Sequence, residues 1–134
     1  MEKSEAKLPK EILDKAIPMG NEFGFREKDF IEVIEVARKN KIAIIGGQIQ
    51  YIFEDGTCEL YWLSYDSESQ KNQESWVEYC DRSANECRSK FQNIVTTTDF
   101  EKEIENFEFL KQKRDSGISI EDSKVFIIYF QYQE

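Results

Sequence analysis

Between Ile42 and Tyr65 the chain turns from helical to strand periodicity around an Asp-Gly pair, a combination that demands a β-hairpin. Ile42-Ala43-Ile44-Ile45 is a β-branched run, broken by Gly46-Gly47 and resumed from Ile49 to Phe53. Glu54-Asp55-Gly56-Thr57 then supplies the turn, because glycine accepts the positive φ that tight hairpins need. On the return, Cys58, Leu60 and Trp62 share one face; Glu59, Tyr61 and Tyr65 share the other. Trp62 is thus expected in the core, and Tyr61 and Tyr65 at the surface. Gly46-Gly47 is followed by no Lys-Ser/Thr, so the pair reads as a β-bulge or a close backbone approach, not as a phosphate loop.

Helical stripes flank the hairpin. Pro9 suits the first turn of a short helix carrying Ile12, Leu13, Ala16 and Ile17, which Pro18 stops. Met19 to Phe25, with two glycines, reads as an ordered loop. A second helix, Glu27 to Asn40, aligns Phe30, Ile34 and Ala37. After a polar loop from Asp66 to Gln73, a helix from about Glu74 to Asn93 aligns Trp76, Tyr79, Cys80, Ala84, Cys87 and Phe91. Thr98-Asp99-Phe100-Glu101 is a capping box opening another helix through Phe100, Ile104, Phe107 and Lys111. Lys124 to Phe130 is apolar on both faces, as an interior strand requires. The order α-α-β-β-α-α-β predicts an α+β fold: a small β-sheet containing a β-hairpin, covered by helices. At 134 residues this is one domain, 1–134, with 1–7 frayed.

The chemistry is notable for what is missing. Without histidine, Ser–His and Cys–His catalysis are excluded and the commonest metal ligand is lost. Of three cysteines, Cys80 and Cys87 stand about 10 Å apart along one helix face, beyond the roughly 7 Å of a disulfide. Carboxylates such as Glu22, Asp55, Glu59 and Asp66 are so abundant that a chance pair signals no glycosidase. No catalytic residue, metal or cofactor is expected, and the chain is read as a binder, not an enzyme. Its 27 acidic against 18 basic residues, a formal charge of -9, repel nucleic acid and anionic membranes but attract a cationic protein. Met1 to Lys10 has no apolar signal core, and no apolar run approaches the ~20 residues of a membrane span, so a cytoplasmic location is expected.

Charge placement narrows the surface. From Ile42 to Gln70 there is no Lys or Arg, while Glu54, Asp55, Glu59, Asp66 and Glu68 all fall there. Tyr51, Phe53, Tyr61, Trp62 and Tyr65 belong to the same stretch. The hairpin and following loop are therefore the candidate partner-binding surface, with Asp55, Glu59, Tyr61, Tyr65, Asp66 and Glu68 facing a basic cleft.

Asn21-Glu22-Phe23 after a first helix, Ile44-Ile45-Gly46-Gly47 after a second, then Glu74-Ser75-Trp76-Val77-Glu78-Tyr79 with Ser83 resemble the immunity protein forty family of bacterial polymorphic-toxin systems. The similarity covers roughly Ile12 to Ile94. Gln48 stands where that family usually has an acidic residue. The resemblance implies a cytoplasmic antitoxin that occludes a cognate toxin domain. Asn21, Glu22, Gly46, Gly47, Trp76, Tyr79 and Ser83 are read as scaffold. A small regulatory or adaptor domain binding another protein or peptide is the alternative.

Overall fold

The computed structural model describes residues 8–19 and 22–133. The fraying expected of residues 1–7, and Asn21, lie outside the described residues. The fold is α+β. Its elements are α1 (Lys10–Leu13), β1 (Ile17–Met19), β2 (Glu22–Phe25), α2 (Glu27–Lys39), β3 (Ala43–Gly46), β4 (Gln48–Phe53) and β5 (Gly56–Ser64). They are followed by α3 (Trp76–Thr97), α4 (Phe100–Glu105), α5 (Glu108–Asp115), a 3-10 turn at Glu121–Ser123, and β6 (Lys124–Gln131). The strands form one antiparallel sheet in the order β1-β2-β6-β4-β5, with β3 also paired to β6.

Three expectations change in detail. The first helix is a single turn, and Ile17–Met19 and Glu22–Phe25 pair as antiparallel strands in place of a helix end and part of a loop. Pro18 is admitted because β1 is an edge, where proline's missing N–H breaks no ladder. The stripe through Phe100, Ile104 and Phe107 splits into two helices. Phe107 takes an extended backbone and turns its ring onto Trp62, 5.6 Å away and nearly parallel. The β4–β5 hairpin forms as expected, but its loop is Glu54-Asp55, closed by Phe53 opposite Gly56.

β6 is the centre of the sheet, and its two-faced apolar run is buried from Val125 to Ile128. The core lies between the sheet and the helices. Phe30 of α2 stacks on Phe91 of α3 at 3.9 Å, and Phe126 of β6 meets both edge-on. Burial pushes the Cys80 thiol to about 11 and the Cys87 thiol to about 12, so both serve as neutral packing groups.

Two irregularities in the sheet decide what reaches the surface. Ala43 and Ile44 oppose Gln131 and Phe130, whereas Gly46 opposes Tyr129 in the register that Ile49 then keeps with Phe126. β3 and β4 are thus one strand with a bulge at Ile45, which is left 44% exposed. At the bulge the Ile44 N–H finds its partner outside the sheet, donating to Ser83 Oγ at 3.1 Å; Ser83 is fully buried on α3. Ser83→Ala should strand that amide and cost about 1–3 kcal/mol, read as a lower chemical-denaturation midpoint with unchanged slope.

The second irregularity is in β5. Ile49 opposes Leu60, but the next residue on β4, Gln48, opposes Ser64. Tyr61, Trp62 and Leu63 therefore loop out of the ladder. An odd number of extra residues inverts the inside–outside alternation beyond it. That inversion carries Tyr65 inward and leaves Trp62 outside.

Candidate partner-binding surface

The six residues expected at the surface separate into distinct roles. Tyr65 is corrected outright. Its ring is fully buried against Phe30, and its hydroxyl donates to the carbonyls of Ile127 and Gln48. It is a core group bracing the bulge, not an anchor. Trp62, expected in the core, is the reverse: it is 45% exposed, with one face on Phe107 and its edge toward Tyr61. Tyr61 is 70% exposed. Together they present an aromatic step on the edge strand of the sheet, the kind of rigid, amphipathic area that anchors partners.

The acidic residues also divide. Asp55, at the hairpin tip, is clamped by Lys113 at 2.6 and 2.7 Å, and the same ammonium lies over the rings of Phe53 and Phe109. The Lys113 hydrogen bond lowers the Asp55 carboxyl from its ordinary value. Its charge is therefore largely answered within the chain. Asp66 is exposed, yet one of its oxygens accepts from the Gly47 N–H at 3.1 Å, and its backbone lies where a side chain on Gly46 would point. Glu59 accepts from Gln50 at 2.9 Å and, at a long 3.5 Å, from Gln48. Among the described residues no lysine or arginine pairs with the carboxylates of Glu54, Glu59, Asp66 or Glu68. The charge of those four is answered by no cation among the described residues.

Sequence reasoning missed the parts that hold this surface in place. Arg82 of α3 donates to Glu74 at 2.6 and 2.8 Å, to Glu86 at 3.0 Å, and to the carbonyls of Glu68 and Ser69. The Glu68 N–H donates to Glu86, and the Lys71 N–H to Glu74. A loop rich in Ser, Asn and Gln is thereby pinned to a helix by one guanidinium, with five donors in a fixed fork. The only signal available beforehand was one arginine at i+4 before Glu86 and eight residues after Glu74. Likewise missed was a polar chain over the sheet. Gln48 donates to the Tyr129 hydroxyl at 3.0 Å, which donates to Glu22 at 2.6 Å. A carboxylate at position 48 could not donate to that hydroxyl.

Arg82 holds the Glu74 carboxyl down to about 2, against roughly 4.3 for an unpaired glutamate. A lowered folded-state value means the pair supports the folded loop above that ordinary value and loses its contribution as pH falls toward 2. Amide-exchange protection at Glu68 and Lys71 should therefore decline between about pH 5 and pH 3. Constant protection across that window would mean the loop does not depend on this ion pair.

No helix among the described residues is long and apolar enough to cross a membrane. Neither a curated protein nor a solved structure matches the chain. The pattern of the family described as immunity protein 40 does match, over residues 13–110. That range runs from the end of α1 into α5 and contains both bulges, the Arg82 loop and the aromatic step. With well over half of its length matched, the chain belongs to the immunity protein 40 family.

Proposed function

We propose that this chain binds a cognate bacterial toxin domain in the cytoplasm and neutralises it by occlusion, without catalysis. The observation that carries the reading is the aromatic step of Tyr61 and Trp62, held outside the sheet by the three-residue bulge of β5. Membership of an immunity family supports a toxin as the partner. Glu54, Glu59, Asp66 and Glu68 belong with that step to a stretch of sequence without Lys or Arg, so the face of the toxin it meets is basic. Acidic groups steer encounter, and the desolvated rings hold the complex.

Co-expression tests the reading. The product of the neighbouring upstream gene is induced in a bacterial host with and without this chain. Survival restored by the chain, with the two proteins co-purifying, is the expected result. A toxic neighbour that is neither rescued nor bound would remove the immunity reading and leave an acidic adaptor domain. Within a complex, reversing Glu54 and Glu68 to lysine should slow association several-fold and flatten its salt dependence, with dissociation little changed. Asp66 is unsuited to that experiment, since its carboxylate also serves the Gly47 amide.

A further inference from the structure

One cleft lies apart from the aromatic step. It opens where β6 leaves β2, beside the Ile45 bulge, and has a volume of about 280 Å³. Its walls include Glu22, Phe23, Ile45, Tyr129, Phe130 and Tyr132. That is smaller than the roughly 300–1,000 Å³ of small-molecule sites, and suits a single side chain. Four rings and one carboxylate line it, and no cation does. Tyr129 donates to Oε2 of Glu22, and among the described residues nothing donates to Oε1. A carboxylate has about four acceptor positions, so this one keeps capacity for a further donor.

We infer that this cleft receives an arginine side chain from the bound toxin, a proposal that rests on the immunity reading above. A guanidinium matches both halves of the lining. Its planar face stacks on aromatic rings, and its fork of N–H groups answers a carboxylate in two places. An apolar side chain would desolvate Glu22 and leave its Oε1 unanswered, and an anion would be repelled. A polar chain also leads from the cleft across the sheet to β5. Gln48 reaches Tyr129 on one side and Glu59, at 3.5 Å, on the other, so one polar strip crosses β2, β6, β4 and β5.

The cleft can be tested without the toxin. The free protein is titrated at constant ionic strength with N-acetyl-arginine methylamide, followed by amide chemical shifts. The lysine and norleucine analogues serve as comparators. Saturable shifts in the millimolar range, centred on Phe23, Ile45 and Phe130, are expected for arginine, several-fold weaker for lysine and absent for norleucine. Glu22→Gln should weaken the arginine response about ten-fold, and Phe130→Leu should reduce it while keeping the apolar volume. Shifts elsewhere, equal responses to the three analogues, or an unaltered response in Glu22→Gln would overturn the proposal. With a purified toxin, the same Glu22→Gln change should weaken the complex at least ten-fold. Full affinity in that variant, alongside loss in Tyr61→Ala, would overturn the cleft assignment and leave the immunity reading standing. A parent protein that binds no toxin would sink the immunity reading instead, and the arginine titration would still judge the cleft by itself.

Discussion

Gly47→Ala should leave little native protein in solution. A Cβ at that position would stand 1.7 Å from the carbonyl oxygen of Ile127 and 3.0 Å from the Tyr65 ring. The first is backbone of the central strand and cannot swing aside, and the second is locked by its bonds to Ile127 and Gln48. Relief would require β4 and β6 to part where Tyr65 braces them. The cost belongs with the largest single-substitution effects, above about 4 kcal/mol. Circular dichroism and a thermal melt would report it as loss of the cooperative transition. Gly117→Ala is the matched control. That glycine has a φ of +92° but nothing within 4 Å of its added Cβ, so only the backbone term applies, roughly 1–2 kcal/mol. If Gly47→Ala melted like Gly117→Ala, the close packing of β4, β6 and Tyr65 would have to be abandoned.

Tyr61→Ala should behave in the opposite way, sparing the fold and damaging the function. Tyr61 is 70% exposed, and its ring stands nearly perpendicular to that of Trp62. Substitutions at such surfaces usually stay within about 0.5 kcal/mol of parent stability. An aromatic anchor at an interface centre, however, is worth about 2 kcal/mol or more when truncated, roughly 30-fold in affinity. Combining it with Trp62→Ala should bring co-expression rescue close to nothing, although the double variant also surrenders the stack on Phe107. Affinity by titration calorimetry, read beside the melting temperature, separates the two effects. An unchanged toxin affinity in Tyr61→Ala would move the interface elsewhere on the molecule.

The same bulge explains what could be read from the sequence and what could not. Local patterns sufficed where one rule dominated: the stripe of Phe30, Ile34 and Ala37 on α2, the two-faced run of β6, and the hairpin between Ile49 and Leu60. Alternation was sound as far as Leu60 and then failed, because nothing in Tyr61-Trp62-Leu63 announces that three residues leave the ladder. The closing contacts come from far along the chain, such as Tyr65 to Ile127 and Trp62 to Phe107. Gly46-Gly47 signalled a bulge or a close approach, and both occur. The helices misread were the short ones, α1 and the α4–α5 pair, where a single turn yields to tertiary packing. Of the surface, Glu59, Tyr61, Asp66 and Glu68 were placed outside correctly, Tyr65 was not, and Arg82 carried no pattern that distinguished it from a solvated helix charge.

The family match ends at residue 110, yet β6 begins at Lys124 and supplies the middle of the sheet. The matched region therefore cannot complete its own hydrogen bonds without the segment beyond it.

The looped-out triplet in β5 separates two jobs among different atoms. Pairing resumes at Ser64 opposite Gln48 whatever side chains occupy positions 61 to 63, because the ladder on either side is closed by backbone groups. Their identity bears on packing, through Trp62 on Phe107 and Leu63 against the core, and the parity of their number on the ladder, since an even count would turn Tyr65 outward. Under the proposed function, exposed Tyr61 is thus the member of the triplet that can be exchanged to suit a different toxin while the sheet on either side stays closed.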